Sequence, residues 1–194
     1  HALAADLATR AGALLMEVRG HLAAGDISSE ALKREGDQRS HEFLMDALAG
    51  YRPHDAVLSE EGASAAVHPD RAETSRVWIV DRVDGTREYG DPPRTDWAVH
   101  VALVEDGCPT AGAVALPALD LTLSTMALPN PTDLPPIPDR HRVVVSRSRP
   151  PAEAMYGCDA LGGVVVELGS AGAKAMAVVR VEVEAYINSG GQYE

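Results

Sequence analysis

The sequence predicts a mixed α/β fold from three observations. Of the 194 residues, 45% are hydrophobic but only 4% are aromatic, so alanine, valine and leucine must fill the core. Such side chains suit closely spaced layers of helices and sheets. Apolar residues recur at helical spacing near the N-terminus, and short apolar runs of strand length follow them. A chain of this length can bury one substantial core or two small ones.

Two helices are predicted at the start of the chain. Leucine and valine recur at helical spacing over residues 2–24, which predicts an amphipathic helix. Residues 25–29 interrupt that pattern, and a second helix is predicted over about residues 38–49. Asp37 directly precedes this second helix, so by its position alone it is an N-cap.

Five apolar runs that predict strands come next. They cover residues 56–58, 77–80, 98–104, 111–116 and 121–126. Short turns separate the last three runs, which favours an antiparallel meander. The first two runs each end in acidic residues. In α/β folds the ends of strands are where ligand-binding groups gather, because loops there are held by a rigid sheet.

A proline-rich segment divides the chain into two predicted lobes. Residues 128–139 contain five prolines and few apolar residues, which indicates a connection. We expect an N-terminal α+β lobe over 1–127, the connection over 128–140 and a C-terminal α/β lobe over 141–194. In that last lobe, predicted strands alternate with predicted helices at 143–145, 151–160, 164–166, 171–180 and 183–187.

Charge and composition exclude several classes of partner. The formal net charge is −12, so the chain lacks the basic surface typical of proteins that bind nucleic-acid polymers or anionic membranes. It also has no apolar run of the roughly 20 residues that span a bilayer. Cys108 and Cys158 lack metal-ligand spacing and are interpreted as reduced thiols of a cytoplasmic protein. Divalent cations held by carboxylates could supply the positive charge that a phosphorylated substrate requires.

An acidic motif follows the predicted strand at 77–80. Asp81 and Asp84 are three residues apart, and Gly85 permits the tight turn that brings both carboxylates to one point. Hard oxygen ligands of this kind favour Mg²⁺. The alternative is a simple turn in which the aspartates cap backbone amides. Glu60 and Glu61 follow the strand at 56–58 and form either a second part of the metal site or a solvated strand end.

These motifs resemble a known family. Residues 58–61 and 78–86 are similar to the double signature of the inositol monophosphatase superfamily. Residues 86–89, 96–103 and 169–174 are most similar to the bacterial 3′(2′),5′-bisphosphate nucleotidases of that superfamily. The resemblance covers nearly the whole chain. It implies a layered α+β sandwich in which helix and sheet layers alternate.

The resemblance also implies an activity. Enzymes of this type remove the 3′-phosphate from adenosine 3′,5′-bisphosphate and act on 3′-phosphoadenylyl sulfate, in support of sulfur assimilation. They use two or three Mg²⁺ ions, which Mn²⁺ can replace, and Li⁺ inhibits them. Homodimers are common among them, so a homodimer is an expected assembly. Inositol-1-phosphatase and fructose-1,6-bisphosphatase activities remain alternatives, because the metal motif is shared and only the surrounding pocket selects the alcohol.

The resemblance assigns roles residue by residue. The expected metal ligands are Glu60, Asp81, the carbonyl of Val83, and Asp84. The expected catalytic residues are Asp37, Glu61 and Thr86, of which Asp37 and Thr86 orient and deprotonate the attacking water. The expected substrate-binding residues are Glu60, Val83, Asp84, Gly85, Thr86, Arg87, Gly169, Ser170 and Lys174. The small residues after Gly169 also open a predicted helix, where free amides suit a phosphate and small side chains suit close packing. His100, on an alternating strand, is interpreted as structural.

Two features depart from the family pattern. Arg82 stands where the family has proline after the first aspartate, and it could compete with Mg²⁺, pair with Asp81 or reach a substrate phosphate. The family continues into Trp-Asp-x-Ala after the position of Glu194, and that aspartate completes the second metal site. We therefore expect the chain to be a fragment with an incomplete second lobe. A catalytically impaired module that binds metal or nucleotide is the remaining alternative.

Overall fold

The structure, a computed structural model, describes residues 1–23, 25, 27–59, 74–127, 136 and 138–188. The chain contains both helices and strands, and the predicted mixed α/β fold is confirmed. The chain divides into two compact units, His1–Ala127 and Leu128–Glu194. Among the described helices, none is both long enough and apolar enough to span a membrane.

Two long helices begin the N-terminal unit. Helix α1, Ala2–Ala23, buries an apolar stripe against the sheet and confirms the helix predicted there. Helix α2, Ser29–Tyr51, buries one residue in every four, at Leu32, Gly36, Ser40, Leu44 and Leu48. The hydroxyl of Ser28 accepts a hydrogen bond from the Ala31 amide and caps the start of α2.

The predicted start of the second helix is wrong. Because α2 begins at Ser29, Asp37 lies inside the helix and is not its N-cap. Glycine is a poor helix former, but tertiary packing requires a glycine at position 36. A Cβ atom at Gly36 would lie 2.4 Å from the hydroxyl oxygen of Tyr89, so only glycine lets the helix approach that ring this closely.

A five-stranded sheet forms the other layer of the N-terminal unit. Its strands are β1 (Ala56–Ser59), β2 (Arg76–Asp84), β3 (Ala98–Glu105), β4 (Cys108–Leu116) and β5 (Leu121–Ser124), in the spatial order of the sequence. Strand β1 pairs parallel with β2, and the remaining pairs are antiparallel. The predicted meander over the last three strands is therefore confirmed. A short helix α3, Thr86–Tyr89, follows β2, and the ring of Tyr89 packs edge-on against Trp97 at 5.0 Å.

Strand β2 extends beyond its predicted end at residue 80. It continues to Asp84, so the two aspartates lie within the end of the strand and not in a loop after it. Asp81 pairs with His100 and Asp84 with Ala98, so three steps on β2 oppose two steps on β3. This one-residue excess is a β-bulge, and it shapes the site described below.

The C-terminal unit is a small α/β layer structure. It contains β6 (Arg142–Ser146), α4 (Ala152–Ala160), β7 (Val164–Leu168), α5 (Ala171–Val179) and β8 (Ala185–Tyr186). The three strands are parallel in the order β7-β6-β8. Alternate valines of β6 face two small cores, one that includes Ala154 of α4 and one that includes Ala177 of α5. The predicted strand at 183–187 forms only over Ala185–Tyr186.

Candidate metal centre

Two carboxylates and an imidazole converge at the end of β2. One oxygen each from Asp81 and Asp84 and a ring nitrogen of His100 all lie within 4.8 Å of one another. Residues three apart on a regular strand point to opposite faces of the sheet. The bulge between Asp81 and Asp84 adds one residue, so both carboxylates come to the same side.

The turn after the aspartates is held by its own hydrogen bonds. Oδ1 of Asp81 accepts a hydrogen bond from the Val83 amide at 3.2 Å. The hydroxyl of Thr86 donates to the Val83 carbonyl at 3.1 Å. Gly85 has φ +86°, a left-handed conformation that favours glycine, and it directly precedes α3. The aspartate motif is therefore a capped turn and an acidic cluster at once, and the two interpretations of the sequence do not exclude each other.

His100 belongs to this cluster, although the sequence pattern indicated only a structural role. Its Nε2 lies 2.8 Å from Oδ2 of Asp84. Burial lowers the pKa of His100, but the hydrogen bond and charge of Asp84 and the charge of Asp81 outweigh it, so the pKa is raised. The β2–β3 register, which places His100 opposite Asp81, is the signal that could have identified it.

The residues present fit a divalent cation. Carboxylate oxygens are the ligands that Mg²⁺, Ca²⁺ and Mn²⁺ prefer, and imidazole is a ligand for transition metals. Without a cation, the nearby negative charges of Asp81 and Asp84 repel each other. We conclude that the end of β2 is a candidate metal centre built from side chains of two adjacent strands.

Asp37 and Arg82 form an ion pair beside this centre. Nη2 of Arg82 lies 3.2 Å from Oδ1 of Asp37, and the Arg82 side chain is only 5% exposed. The hydroxyl of Ser40, one helical turn after Asp37, donates to the Arg82 carbonyl at 3.2 Å. Helix α2 is thus joined to the acidic turn by one ion pair and one hydrogen bond. Asp37 is one partner of Arg82, and this pairing was not among the three roles expected for the arginine.

The predicted substrate-binding residues of the C-terminal unit lie at the start of α5. The Ser170 hydroxyl accepts a hydrogen bond from the Ala173 amide at 2.9 Å and caps the helix. Lys174 is 1% exposed, its ammonium donates to the Gly169 carbonyl, and it lies 5.4 Å from the centre of the Tyr186 ring. These polar groups therefore bond within their own unit.

Comparisons with known proteins identify the family. A sequence model of the Inositol monophosphatase family matches residues 1–130. This chain belongs to the inositol monophosphatase family. A relative in Mycobacterium leprae named 3′-phosphoadenosine 5′-phosphate phosphatase is 42% identical over 208 aligned positions, which cover 100% of this chain and 73% of the relative. The CysQ 3′(2′),5′-bisphosphate nucleotidase of Escherichia coli K12 is 31% identical over 61% of this chain and 48% of its own length.

Solved structures of the family share the fold. The structure of CysQ from Bacteroides thetaiotaomicron matches with a TM-score of 0.72 at 21% identity, over 95% of this chain and 77% of that one. Inositol monophosphatase-II of Staphylococcus aureus with bound 2′AMP matches with a TM-score of 0.70 at 19% identity, over 94% and 71%. The inositol monophosphatase fold predicted from the motifs is thereby confirmed.

Three other residues were predicted to belong to the family site: Glu60, Glu61 and Arg87. Glu60 and Glu61 lie outside the described residues. Ser59, the last residue of β1, pairs with Val80, which precedes Asp81. Arg87 is exposed on α3.

Proposed function

We propose that this protein is a metal-dependent phosphatase that removes the 3′-phosphate from 3′-phosphoadenosine 5′-phosphate, also written adenosine 3′,5′-bisphosphate. The observation that carries the proposal is the convergence of Asp81, Asp84 and His100 within 4.8 Å. It occurs in a chain that is 42% identical, over its full length, to a relative named for this reaction. The sulfated analogue, 3′-phosphoadenylyl sulfate, carries the same 3′-phosphate and is a second substrate.

The residues at the end of β2 supply the metal site. Divalent cations at such a site activate water, neutralise the phosphate and stabilise the leaving oxygen. We assign Asp81, Asp84, the Val83 carbonyl and Glu60 as ligands. Mg²⁺ is the assigned ion, Mn²⁺ can replace it, and Li⁺ inhibits. Two free cysteines, Cys108 and Cys158, accord with a reducing compartment such as the cytoplasm.

The assigned proton acceptor is Asp37, acting with Thr86. The Thr86 hydroxyl donates its proton to the Val83 carbonyl, so its oxygen lone pairs face outward to accept a hydrogen bond from water. The Asp37 carboxylate, anchored by Arg82, then accepts the proton that the water loses. Glu61 has the remaining catalytic role that the family pattern implies.

The substrate contacts are assigned to both units. In the N-terminal unit, Gly85, Thr86 and Arg87 at the start of α3 contact the substrate phosphate together with the metal ligands Glu60, Val83 and Asp84. In the C-terminal unit, Gly169, Ser170 and Lys174 are the assigned substrate-binding residues, because the free amides at the start of a helix suit a phosphate or ribose group. A homodimer is the proposed assembly.

Inositol monophosphate is the competing substrate. An inositol-1-monophosphatase of Mycobacterium leprae is 40% identical to this chain, but only over 41% of it. The structural neighbour in Staphylococcus aureus has been solved with inositol monophosphate and also with 2′AMP. The full-length match to a nucleotide phosphatase favours the nucleotide.

Turnover of three substrates tests the proposal. Phosphate release with Mg²⁺ is compared for adenosine 3′,5′-bisphosphate, inositol 1-phosphate and fructose 1,6-bisphosphate. We expect the highest kcat/KM for the nucleotide. A preference for inositol phosphate would overturn the substrate assignment.

An impaired binding module is the second candidate function, and the Arg82–Asp37 pair favours it. The pair engages the very carboxylate assigned to accept the proton. Titration calorimetry with the same nucleotide, beside the turnover assay, separates the two functions. Binding without phosphate release would support the module.

A further inference from the structure

A cavity in the N-terminal unit adjoins the candidate metal centre. It has a volume of about 650 Å³ and lies between α2 and the turn after β2. Lys33, Arg34 and Asp37 of α2 line one side, and Arg82, Val83 and Thr86 line the other. The Val83 amide donates to the Asp81 carboxylate and Thr86 donates to the Val83 carbonyl, so the cavity adjoins the turn that carries the carboxylates.

Three cationic side chains line this cavity, and one of them, Arg34, makes no ion pair with a described residue. Arg82 is paired with Asp37, and the ammonium of Lys33 lies 2.9 Å from a carboxylate oxygen of Glu30, which also lines the cavity. Within the described ranges of the chain, Arg34 makes no ion pair or hydrogen bond, and it is exposed. The cavity is therefore locally basic in a protein whose net charge is −12.

Core packing fixes the direction of this basic face. Leu32 and Gly36 of α2 are buried, and residues one position later, Lys33 and Asp37, share the adjoining face of the helix. The stem of Lys33 lies across Gly90, where a Cβ atom would come within 2.3 Å of the lysine Cε. The hydroxyl of Ser29 donates to the Gly90 carbonyl at 2.7 Å and holds this end of α2 against the chain after α3.

We propose that Arg34 and Lys33 form an anion subsite for the second phosphate of a nucleoside bisphosphate, the phosphate that is not hydrolysed. This inference rests on the proposed function. A guanidinium matches two phosphate oxygens at once, and an ammonium adds a point charge. Lys33 is available because Glu30 is 83% exposed, and such surface pairs are weak and exchangeable. Inositol monophosphate has no second phosphate to fill the subsite, so Arg34 determines specificity.

Paired substrates test the subsite in turnover. Adenosine 3′,5′-bisphosphate is compared with adenosine 3′-monophosphate, which has the same reacting phosphate but lacks the second one. We expect Arg34→Gln to raise KM for the bisphosphate about tenfold, as the loss of one charged contact predicts, and to change KM for the monophosphate less than about twofold. Arg34→Lys should recover part of the affinity. An equal effect on both substrates, or none on either, overturns the proposal.

A binding experiment keeps the subsite separate from the proposed function. Adenosine 5′-monophosphate carries only the second phosphate, and calorimetry measures its binding without added metal and without turnover. We expect Arg34→Gln and Lys33→Gln each to weaken this binding. The matched control is Arg39→Gln, on the same helix but paired with Glu17 and Glu35.

The outcomes of the two experiments are distinguishable. Suppose that the wild-type protein hydrolyses no nucleotide and still binds the 5′-monophosphate. If only the Arg34 and Lys33 variants then weaken that binding, the proposed reaction fails and the subsite stands. If the wild-type protein does not bind the 5′-monophosphate, or if Arg39→Gln weakens binding equally, the subsite is refuted.

Discussion

The acidic turn of the N-terminal unit and the serine–lysine turn of the C-terminal unit were both predicted to bind substrate, yet their polar groups are arranged differently. At the end of β2, like-charged carboxylates of Asp81 and Asp84 are brought together beside His100. At the start of α5, the Ser170 hydroxyl caps the helix and the Lys174 ammonium binds the Gly169 carbonyl. A cluster of like charges requires a counter-ion, whereas groups that already bond to one another also stabilise the fold by themselves.

The largest expected effect is at the metal centre. Asp84→Asn should lower kcat for phosphate release at least about 100-fold, because it removes a charge that holds metal. Its free energy of unfolding without metal should change by no more than about 1 kcal/mol, since relief of the repulsion from Asp81 offsets the lost charge interaction with His100. Asp46→Asn, an exposed change on α2, is the matched control. If Asp84→Asn retained activity, the distinction between the two turns would disappear.

A second prediction concerns the ion pair that joins α2 to the acidic turn. Arg82→Ala should lower the free energy of unfolding by about 1–2 kcal/mol, because it removes one charged partner of the Asp37 carboxylate, which is 30% exposed. The double variant with Asp37→Ala should lose less than the sum of the two single changes. Denaturant titration measures both. Additive losses would contradict the pairing, and a rise in turnover in Arg82→Ala would indicate that the pair restrains the catalytic carboxylate.

Replacing two glycines of α2 by alanine should change the stability of the protein in opposite directions. Gly36→Ala places a methyl group 2.4 Å from the Tyr89 hydroxyl oxygen, so overpacking should outweigh the gain in helix propensity and cost about 1 kcal/mol. Gly50→Ala meets no atom within 4 Å and should stabilise the helix by about 1 kcal/mol or less. Melting temperatures of the two variants provide the comparison. Equal shifts would mean that α2 is not held against Tyr89.

The smallest expected effect is at the C-terminal turn. Ser170→Ala should cost about 1 kcal/mol of stability through the lost helix cap, and Ser170→Asp should retain most of it. KM for the nucleotide is measured alongside. An increase in KM without a change in stability would show that Ser170 binds substrate, and the two turns would then be alike in function.

Several parts of the fold followed directly from sequence patterns. The helical spacing of leucines predicted α1, and the short apolar runs predicted the strands of both units, because these periodicities record which faces are buried. The start of α2 was missed because Gly36 and Asp37 are poor helix formers in isolation. The extension of β2 through Asp84 was missed because Asp and Gly are typical of turns, whereas pairing with β3 is a long-range interaction.

By itself, the sequence determined the family, through the motifs at 58–61 and 78–86, and it predicted that Asp81 and Asp84 bind metal as a pair. Only the tertiary structure decided that His100 joins them, that Arg82 pairs with Asp37, and that Arg34 makes no ion pair with any other described residue. The reason is physical. A motif consists of residues that are close together in the sequence. These contacts instead join residues far apart in the sequence, and they depend on strand register, a β-bulge and the rotation of a helix about its axis, which long-range packing fixes.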